Sequence, residues 1–209
     1  MTLEQLAAEV ERLRDILEIQ KLQARYQFYI GMNLGHKVAE IFAQTDPDVS
    51  AEIGDVGVWR GLESIKRVFG KLTLIPGKLG LIMALNPVIE VAKDGSTARG
   101  QWYGFGPVAI PTKATPTDEK MELAAVWMCG KYDMEYVKED WKWKIKKLLY
   151  AYCFVTPFDK GWVKQPLPHG YDSFLKTPGG EPDGPATHFH PYGPEISEFI
   201  GVPALEPED

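Results

Sequence analysis

The chemistry open to this sequence depends first on its four histidines, the side chains that exchange protons near neutral pH. His188 and His190 alternate with Phe189, so on an extended segment both rings point to one side and could bind a metal with His169. No acidic or cysteine ligand stands at a supporting spacing, so we predict that the chain binds no metal. The alternative is that these rings cover the mouth of a pocket and supply a base.

The two cysteines are the next candidates for reactive groups. Cys129 and Cys153 both lie in apolar runs, without a histidine near them in sequence, so we predict buried free thiols. A glycine-rich loop of the kind that holds phosphates is also absent from the sequence. These observations predict a protein that works without a nucleotide or metal cofactor.

The net charge of −6 argues against nucleic acid as a partner, because binding to phosphates requires a basic surface. The basic residues 142, 144, 146 and 147 alternate with Trp143 and Ile145, which is typical of the solvated face of a strand. The sequence shows neither a signal peptide nor an apolar run long enough to span a bilayer. We therefore predict a cytoplasmic protein that binds neither nucleic acid nor membrane.

The elements that position any site begin with a long helix. Thr2 and Gln5 form a predicted capping box, and apolar side chains then recur at alternating steps of four and three residues, at Leu6, Val10, Leu13 and Leu17. This spacing predicts an amphipathic helix that makes a short coiled contact with a second subunit. The helical pattern continues to residues 31–35, and a second short helix follows.

Alternating and turn-bounded patterns predict that the middle of the chain is a sheet. A strand at 56–60 and a short helix at 62–69 precede a hairpin of strands 79–92 and 96–105; residues 107–118, with three prolines, are predicted as a loop. A second hairpin joins 120–137 to 141–154. Apolar residues on both faces near Trp127 need cover, so we predict a homodimer.

From residue 157 the composition changes to proline and glycine, yet aromatic residues remain frequent, including Trp162 and Tyr192. A disordered tail would be poor in aromatic side chains. We predict a domain over residues 1–156 and an extended arm over 157–209 that packs on the domain or on the dimer mate.

Short motifs along about residues 15 to 155 carry a resemblance through their order and spacing. They are Ala24-Arg25-Tyr26, Val58-Trp59-Arg60-Gly61-Leu62-Glu63-Ser64-Ile65, Asn86-Pro87-Val88-Ile89-Glu90-Val91, Ala98-Arg99-Gly100-Gln101-Trp102-Tyr103, Gly130-Lys131-Tyr132 and Trp143-Lys144-Ile145. The sequence resembles the nuclear-transport-factor-2-like superfamily, and within it the SnoaL-like proteins. The resemblance implies an α+β cone, in which a curved antiparallel sheet wraps around N-terminal helices and encloses an apolar pocket.

Dehydratases of that superfamily carry a tyrosine on the first helix, an aspartate about a turn later and a histidine on a central strand. Tyr26 matches the tyrosine, whereas the aspartate position falls on Gly31 and the histidine position falls within residues 81–85, which are apolar. The usual acid and base are therefore absent. Tyr26 and His36 are the predicted catalytic residues, although His36 at a helix start is also typical of a surface position.

The same resemblance implies a ligand-binding pocket rich in aromatic and methionine side chains. The predicted ligand-binding residues are Tyr29, Asn33, Trp59, Met83, Trp102, Trp127, Tyr152, His188 and His190. Plain alternatives exist for several of them: Trp59 and Trp102 as core residues, and Asn33 as the residue that ends the helix.

Two functions remain open from the sequence. The first is a cofactor-independent lyase or isomerase, such as a dehydratase, acting on a small hydrophobic cyclic molecule. The second is a non-catalytic protein that binds such a molecule, or a dimeric interaction module, which the missing acid and base favour. Fold alone does not separate them.

Overall fold

The computed structural model describes residues 1–72, 77–111, 123–166, 181–188, 192–193 and 205. The helices are α1 (Leu3–Gly31), α2 (Gly35–Val38), which continues as a 3-10 turn at Ala39–Ile41, and α3 (Leu62–Leu72). The strands are β1 (Ser50–Ile53), β2 (Gly57–Arg60), β3 (Leu79–Gly80), β4 (Met83–Val91), β5 (Thr97–Pro111), β6 (Leu123–Glu139) and β7 (Lys142–Pro157).

The strands form one seven-stranded sheet in the order β2-β1-β7-β6-β5-β3, with β4 also paired to β5. Strand β1 runs parallel to β7, and the other pairings are antiparallel. The sheet curls around the N-terminal helices, so the predicted α+β architecture is confirmed. Both predicted hairpins are present, as the β4–β5 and β6–β7 pairs.

The core lies between the inner face of the sheet and the helices. Alternate residues of β6, among them Tyr132, Met134 and Tyr136, are buried, as the period-two pattern predicts. On the other side, α1 buries Ile19, Leu22 and Tyr26 at helical spacing. The C-terminal half of α1 is thereby fixed against the sheet, and it is this half that forms one wall of the site described below.

Both ends of α1 are set by local sequence. The predicted capping box is confirmed: the Thr2 amide donates to Gln5 Oε1 at 2.8 Å, and the Gln5 amide donates to Thr2 Oγ1 at 3.2 Å. Just past the helix end, Asn33 adopts a left-handed φ of 56°. Asparagine tolerates that conformation better than most residues, so Asn33 stops the helix and turns the chain toward α2.

Two expectations about strands differ from the structure. The loop predicted at residues 107–118 is wrong for its first five residues, because β6 supplies a partner along all of β5, down to Pro111 opposite Leu123. Residues 112–118 lie outside the described part of the chain. Strand β1 was not expected at all; its four residues are held by β2 on one side and by the distant β7 on the other.

Asp15 ties α1 to the tip of the β6–β7 hairpin. The side chain is buried, with its residue 7% exposed. Its carboxylate accepts a hydrogen bond of 2.8 Å from Trp143 Nε1 and forms an ion pair of 2.8 Å with Lys138 Nζ. Asp15 is buried, but its charge is compensated by the hydrogen bond from Trp143 and by the positive charge of Lys138. These two contacts stabilise a charged residue on the inner face of α1.

Replacing Asp15 with alanine should therefore destabilise the fold by about 2 kcal/mol, because the Trp143 N–H loses its acceptor and Lys138 loses its counter-charge. Chemical denaturation measures this loss. Asp15→Asn is the matched control, since its amide oxygen still accepts from Trp143, and it should lose roughly half as much. An alanine variant as stable as the wild type would show that this contact does not hold α1 in place.

Residues 181–188 of the C-terminal segment lie on β1 and β2 of the same chain. The Val58 amide donates to Gly184 O at 3.0 Å, and the Asp183 carboxylate accepts from the Arg60 amide at 2.7 Å. Further along, Glu52 accepts hydrogen bonds from the Thr187 amide at 2.6 Å and the His188 amide at 2.9 Å.

Of the helices that the structure describes, none combines the length and apolarity needed to cross a membrane.

Candidate functional site

A groove lies between the C-terminal half of α1 and the segment that leads into β4, and it encloses about 560 Å³. Its helix wall includes Gln23, Gln27 and Gly31, and its strand wall includes Ile82 and Met83. The indole of Trp102, from β5, also lines it. Most of this lining is apolar, and the size suits a molecule of a few fused rings.

Tyr136 positions two side chains that line the groove. Its hydroxyl donates to Gln23 Oε1 at 3.1 Å, and its ring meets Trp102 edge to face with centroids 6.0 Å apart. Trp102 in turn folds over Gly100, where a Cβ atom would stand only 2.4 Å from the indole. A glycine at this position is what allows the indole to lie flat against its own strand.

The groove contains buried amide groups that lack hydrogen-bond partners. Gln23 Nε2, Gln27 Nε2 and Gln27 Oε1 are shielded from solvent and have no partner in the part of the chain that the structure describes. Leaving such groups unpaired costs about 1–3 kcal/mol each. Gln23 and Gln27 are four residues apart on α1 and share a face, so both side chains border the same groove.

The structure brings together Gly31 and the segment before β4, the two places where the resemblance to dehydratases predicts an acid and a histidine. A Cβ atom on Gly31 would lie 3.3 Å from Leu81 Cδ2 and 3.4 Å from Gly80 O. The space for a side chain at residue 31 is thus already filled by the segment before β4. Within the described residues, the groove is lined by no titratable side chain.

Of the residues predicted from the sequence, Met83 and Trp102 line this groove. Tyr26, Trp59 and Tyr152 are buried in the core, at 5%, 1% and 2% exposure. Tyr26 makes edge-to-face contacts with Phe69 and Tyr132. Burial first, and Tyr132 second, raise the pKa of Tyr26 well above its ordinary value, so its hydroxyl remains protonated.

The remaining predicted residues lie away from the groove. His36 and Asn33 are exposed near the start of α2, and Tyr29 packs half-buried against the core. Trp127 stacks on Phe105, with centroids 5.4 Å apart, on the other face of the sheet. His188 lies beside Glu52 on β1, its Nδ1 atom 3.6 Å from Glu52 Oε1, and His190 lies outside the described residues.

Sequence reasoning missed the glutamines and Lys78. Gln23 and Gln27 flank Tyr26 on the helix, and polar residues within an apolar helical face were the available signal. Lys78 is half-buried just before β3, and desolvation lowers its pKa from 10.5 to about 8. Lys78 does not line the groove, but its Cε atom lies 3.9 Å from the Cβ position of Gly80, which precedes Leu81 of the groove wall. A lysine with a lowered pKa is a candidate proton acceptor.

Lys78 also predicts a dependence of stability on pH. Its folded-state pKa lies below its unfolded-state value, so the folded protein should gain stability as pH rises between about 8 and 10.5. Lys78→Met should flatten that rise and stabilise the fold at pH 7 by about 1 kcal/mol, allowing for solvent screening. Denaturation of both proteins across this range measures the difference. Lys71→Met, at an exposed position on α3, is the control. If the free energy of unfolding changes with pH equally in wild type and in Lys78→Met, Lys78 is not the group responsible.

Two other cavities flank the tip of the β6–β7 hairpin, enclosing about 510 and 790 Å³. Many of their charged side chains are committed to ion pairs: Asp15 with Lys138, Arg12 with Glu90 at 3.3 Å, and Arg14 with Glu11 at 2.8 Å. The groove beside α1 is therefore the better candidate for a small-molecule site, because three amide atoms of Gln23 and Gln27 have no partner among the described residues.

Comparison with known proteins gave a family match and several related folds. The SnoaL-like domain matches residues 11–148. A protein of unknown function from Mycobacterium tuberculosis is 24% identical, with 68% of this chain and 73% of that chain covered and a TM-score of 0.52. A hexachlorocyclohexane dehydrochlorinase of Novosphingobium barchaimii is 17% identical, with coverages of 72% and 94% and a TM-score of 0.56. A Novosphingobium aromaticivorans protein assigned as a scytalone dehydratase is 18% identical, with coverages of 79% and 97% and a TM-score of 0.54. A search of curated proteins gave no match.

Proposed function

This chain belongs to the SnoaL-like domain family, and on that premise we propose that it binds a small hydrophobic cyclic molecule in the groove beside α1. The ligand carries a hydroxyl or carbonyl oxygen that meets the two glutamine amides. We place the oxygen at Gln23 and Gln27 and the ring against Trp102 and Met83.

The single observation that carries this proposal is the set of unpaired amide atoms. Two N–H donors and one carbonyl acceptor are buried in an otherwise apolar groove. A carbonyl oxygen can accept from both donors, and a hydroxyl can also donate to Gln27 Oε1. A ligand of this kind removes the desolvation cost that the unliganded protein bears, so binding is favoured by more than the apolar contact area.

A second candidate is a lyase reaction, in which a base removes a proton from the bound ring and a leaving group departs. The dehydrochlorinase and the protein assigned as a scytalone dehydratase share this fold, which favours the reaction class. Here the base would be Lys78, which lies outside the groove lining but three residues before Leu81, so its amine would have to turn toward the bound ring. The predicted catalytic residues Tyr26 and His36 do not line the groove, so this proposed reaction does not use them.

The lyase candidate makes a distinct kinetic prediction. Activity should rise with pH through about 8, as Lys78 loses its proton, and Lys78→Met should abolish turnover while it leaves ligand binding intact. Turnover without that inflection, or turnover in Lys78→Met, would assign the base elsewhere. Binding without turnover would leave the binding proposal standing alone.

The binding proposal is tested by thermal shift with cyclic ketones, phenols, sterols and bile acids. A ligand at about 100 times its dissociation constant stabilises the fold by about 2.7 kcal/mol, which is a shift of several degrees. Ala24→Phe places a bulky side chain in the groove from an exposed position on α1, so it should remove the shift without disturbing the core.

Ala8→Phe is the matched control, because it adds the same side chain on the same helix about 24 Å away. Its ligand-induced shift should equal that of the wild type. A shift that persists in Ala24→Phe would place the ligand in another site, and the groove proposal would be wrong.

A further inference from the structure

The back of α1, opposite the core, exposes a row of large apolar side chains. Leu6, Val10, Leu13 and Leu17 are 44%, 48%, 63% and 49% exposed, and Leu3 extends the row toward the N-terminus at 85%. Isolated exposed leucines are ordinary, but a continuous row along four turns of one helix marks an interaction surface.

The spacing of this row specifies the shape of its partner. Steps of three, four, three and four residues from Leu3 to Leu17 place the side chains at the a and d positions of a heptad repeat. That period matches the seam of a second helix with the same repeat, and leucine and valine at these positions are typical of paired helices. We propose that α1 pairs in parallel with α1 of a second copy of this chain, as a short coiled coil over residues 3–17.

Charge complementarity selects a second copy and its direction. In this heptad Glu9 takes the g position and Arg14 the e position five residues later. In the single chain Arg14 forms an exposed ion pair of 2.8 Å with Glu11. In a parallel pair, Arg14 also faces Glu9 of the partner subunit, which adds two symmetric contacts between opposite charges. In an antiparallel pair centred on Val10, Glu9 would lie level with Glu11 of the partner subunit, and like charges oppose each other.

The seam also leads into the groove. The next a and d positions after Leu17 are Gln20, Ala24, Gln27 and Gly31, all of which line the groove. A parallel partner helix would therefore extend toward the open side of the groove and shield it. This second consequence rests on the proposed function, whereas the pairing itself rests only on the exposed row and its charges.

The pairing is tested by sedimentation equilibrium over a range of concentrations. Two heptads form a small interface, so we expect a dissociation constant on the order of micromolar for the wild type. Leu13→Glu should weaken it about 100-fold or more, and because Leu13 is exposed in the single chain its folding should be unchanged. A wild type that stays monomeric at high concentration, or a Leu13→Glu variant that dimerises as well as the wild type, would overturn the proposal.

Charge exchange tests the partner and the direction. Glu9→Arg and Arg14→Glu should each weaken dimerisation roughly tenfold, and the double variant should restore it. In the Leu17→Cys variant, oxidised glutathione should cross-link a parallel dimer through residue 17, since the two positions then face each other. The wild-type chain, which has leucine at position 17, is the control for its own two thiols. If the double variant does not restore dimerisation and the Leu17→Cys variant does not cross-link, α1 does not form a parallel pair.

Shielding of the groove has its own readout. If the partner helix covers the groove, the ligand-induced thermal shift should be smaller in monomeric Leu13→Glu than in the wild type. An equal shift would overturn the shielding while leaving the pairing and the proposed function intact. The absence of a shift in both proteins would instead count against the proposed function.

Discussion

Gln27→Leu should make the unliganded protein more stable and its ligand complex weaker. The leucine fills nearly the same volume and removes a buried donor and acceptor that have no partner among the described residues. We expect the free energy of unfolding to rise by about 1–2 kcal/mol, against the usual destabilising effect of substitution. Affinity for a hydroxyl-bearing ring should fall roughly 30- to 100-fold, since the ligand oxygen then lacks a partner.

Denaturation measures the first change and a pair of matched ligands measures the second. A phenol such as 2-naphthol should lose affinity in Gln27→Leu, whereas naphthalene, which lacks the oxygen, should not. Gln20→Leu is the control, because Gln20 borders the groove but is exposed, and its stability should change little. A less stable Gln27→Leu variant would show that the Gln27 amide is satisfied in solution and would remove the argument for a polar ligand group.

Local patterns were sufficient for most of the architecture. The capping box at Thr2 fixes the start of α1, and the turn at residues 93–96 closes the β4–β5 hairpin, with Gly95 at a φ of 66°. In β6, alternation separates the buried Tyr132, Met134 and Tyr136 from the outer face. Each of these signals is contained within a few residues, so a reading of the sequence alone can find it.

The expectations that failed concern contacts between distant segments. Strand β1 has only four residues, and it is a strand because residues 147–150 of β7 pair with it. Residues 107–111 looked like a loop because of their prolines, yet β6 extends the ladder through them. Pairing across 12 to 97 residues leaves no local pattern, so propensity gave the wrong answer there.

The site was harder to predict than the fold for the same reason. The resemblance pointed to Tyr26, which the structure places in the core between Phe69 and Tyr132. Gln23 and Gln27 are polar residues at the edge of the apolar face of α1, and the sequence does not show that their amides are buried. Packing of α1 against the sheet and against the segment before β4 buries them. A polar group becomes a candidate ligand contact through burial, and burial is a property of the tertiary structure.

Gly106→Ala should lower the free energy of unfolding more than any other glycine-to-alanine substitution near the groove. A Cβ atom at residue 106 would lie 1.8 Å from Leu81 O and 2.8 Å from the Leu81 carbonyl carbon. These are backbone atoms, held by the hydrogen bond of 3.2 Å from the Leu81 amide to Pro107 O, so they cannot rotate away as a side chain would. We expect a loss of about 3–5 kcal/mol in the free energy of unfolding.

The same substitution should also impair the groove, because residues 81 and 82 form part of its wall and must move to admit the methyl group. Ligand-induced stabilisation should therefore disappear even at temperatures where the variant remains folded. Gly70→Ala is the matched control, because no atom of the described residues lies within 4 Å of its Cβ position and residue 70 is inside α3. There the added methyl group should stabilise the helix by about 0.5–1 kcal/mol, because alanine loses less backbone entropy than glycine. Equal stability of the two variants would mean that β5 and the segment before β4 do not approach as closely as their pairing requires.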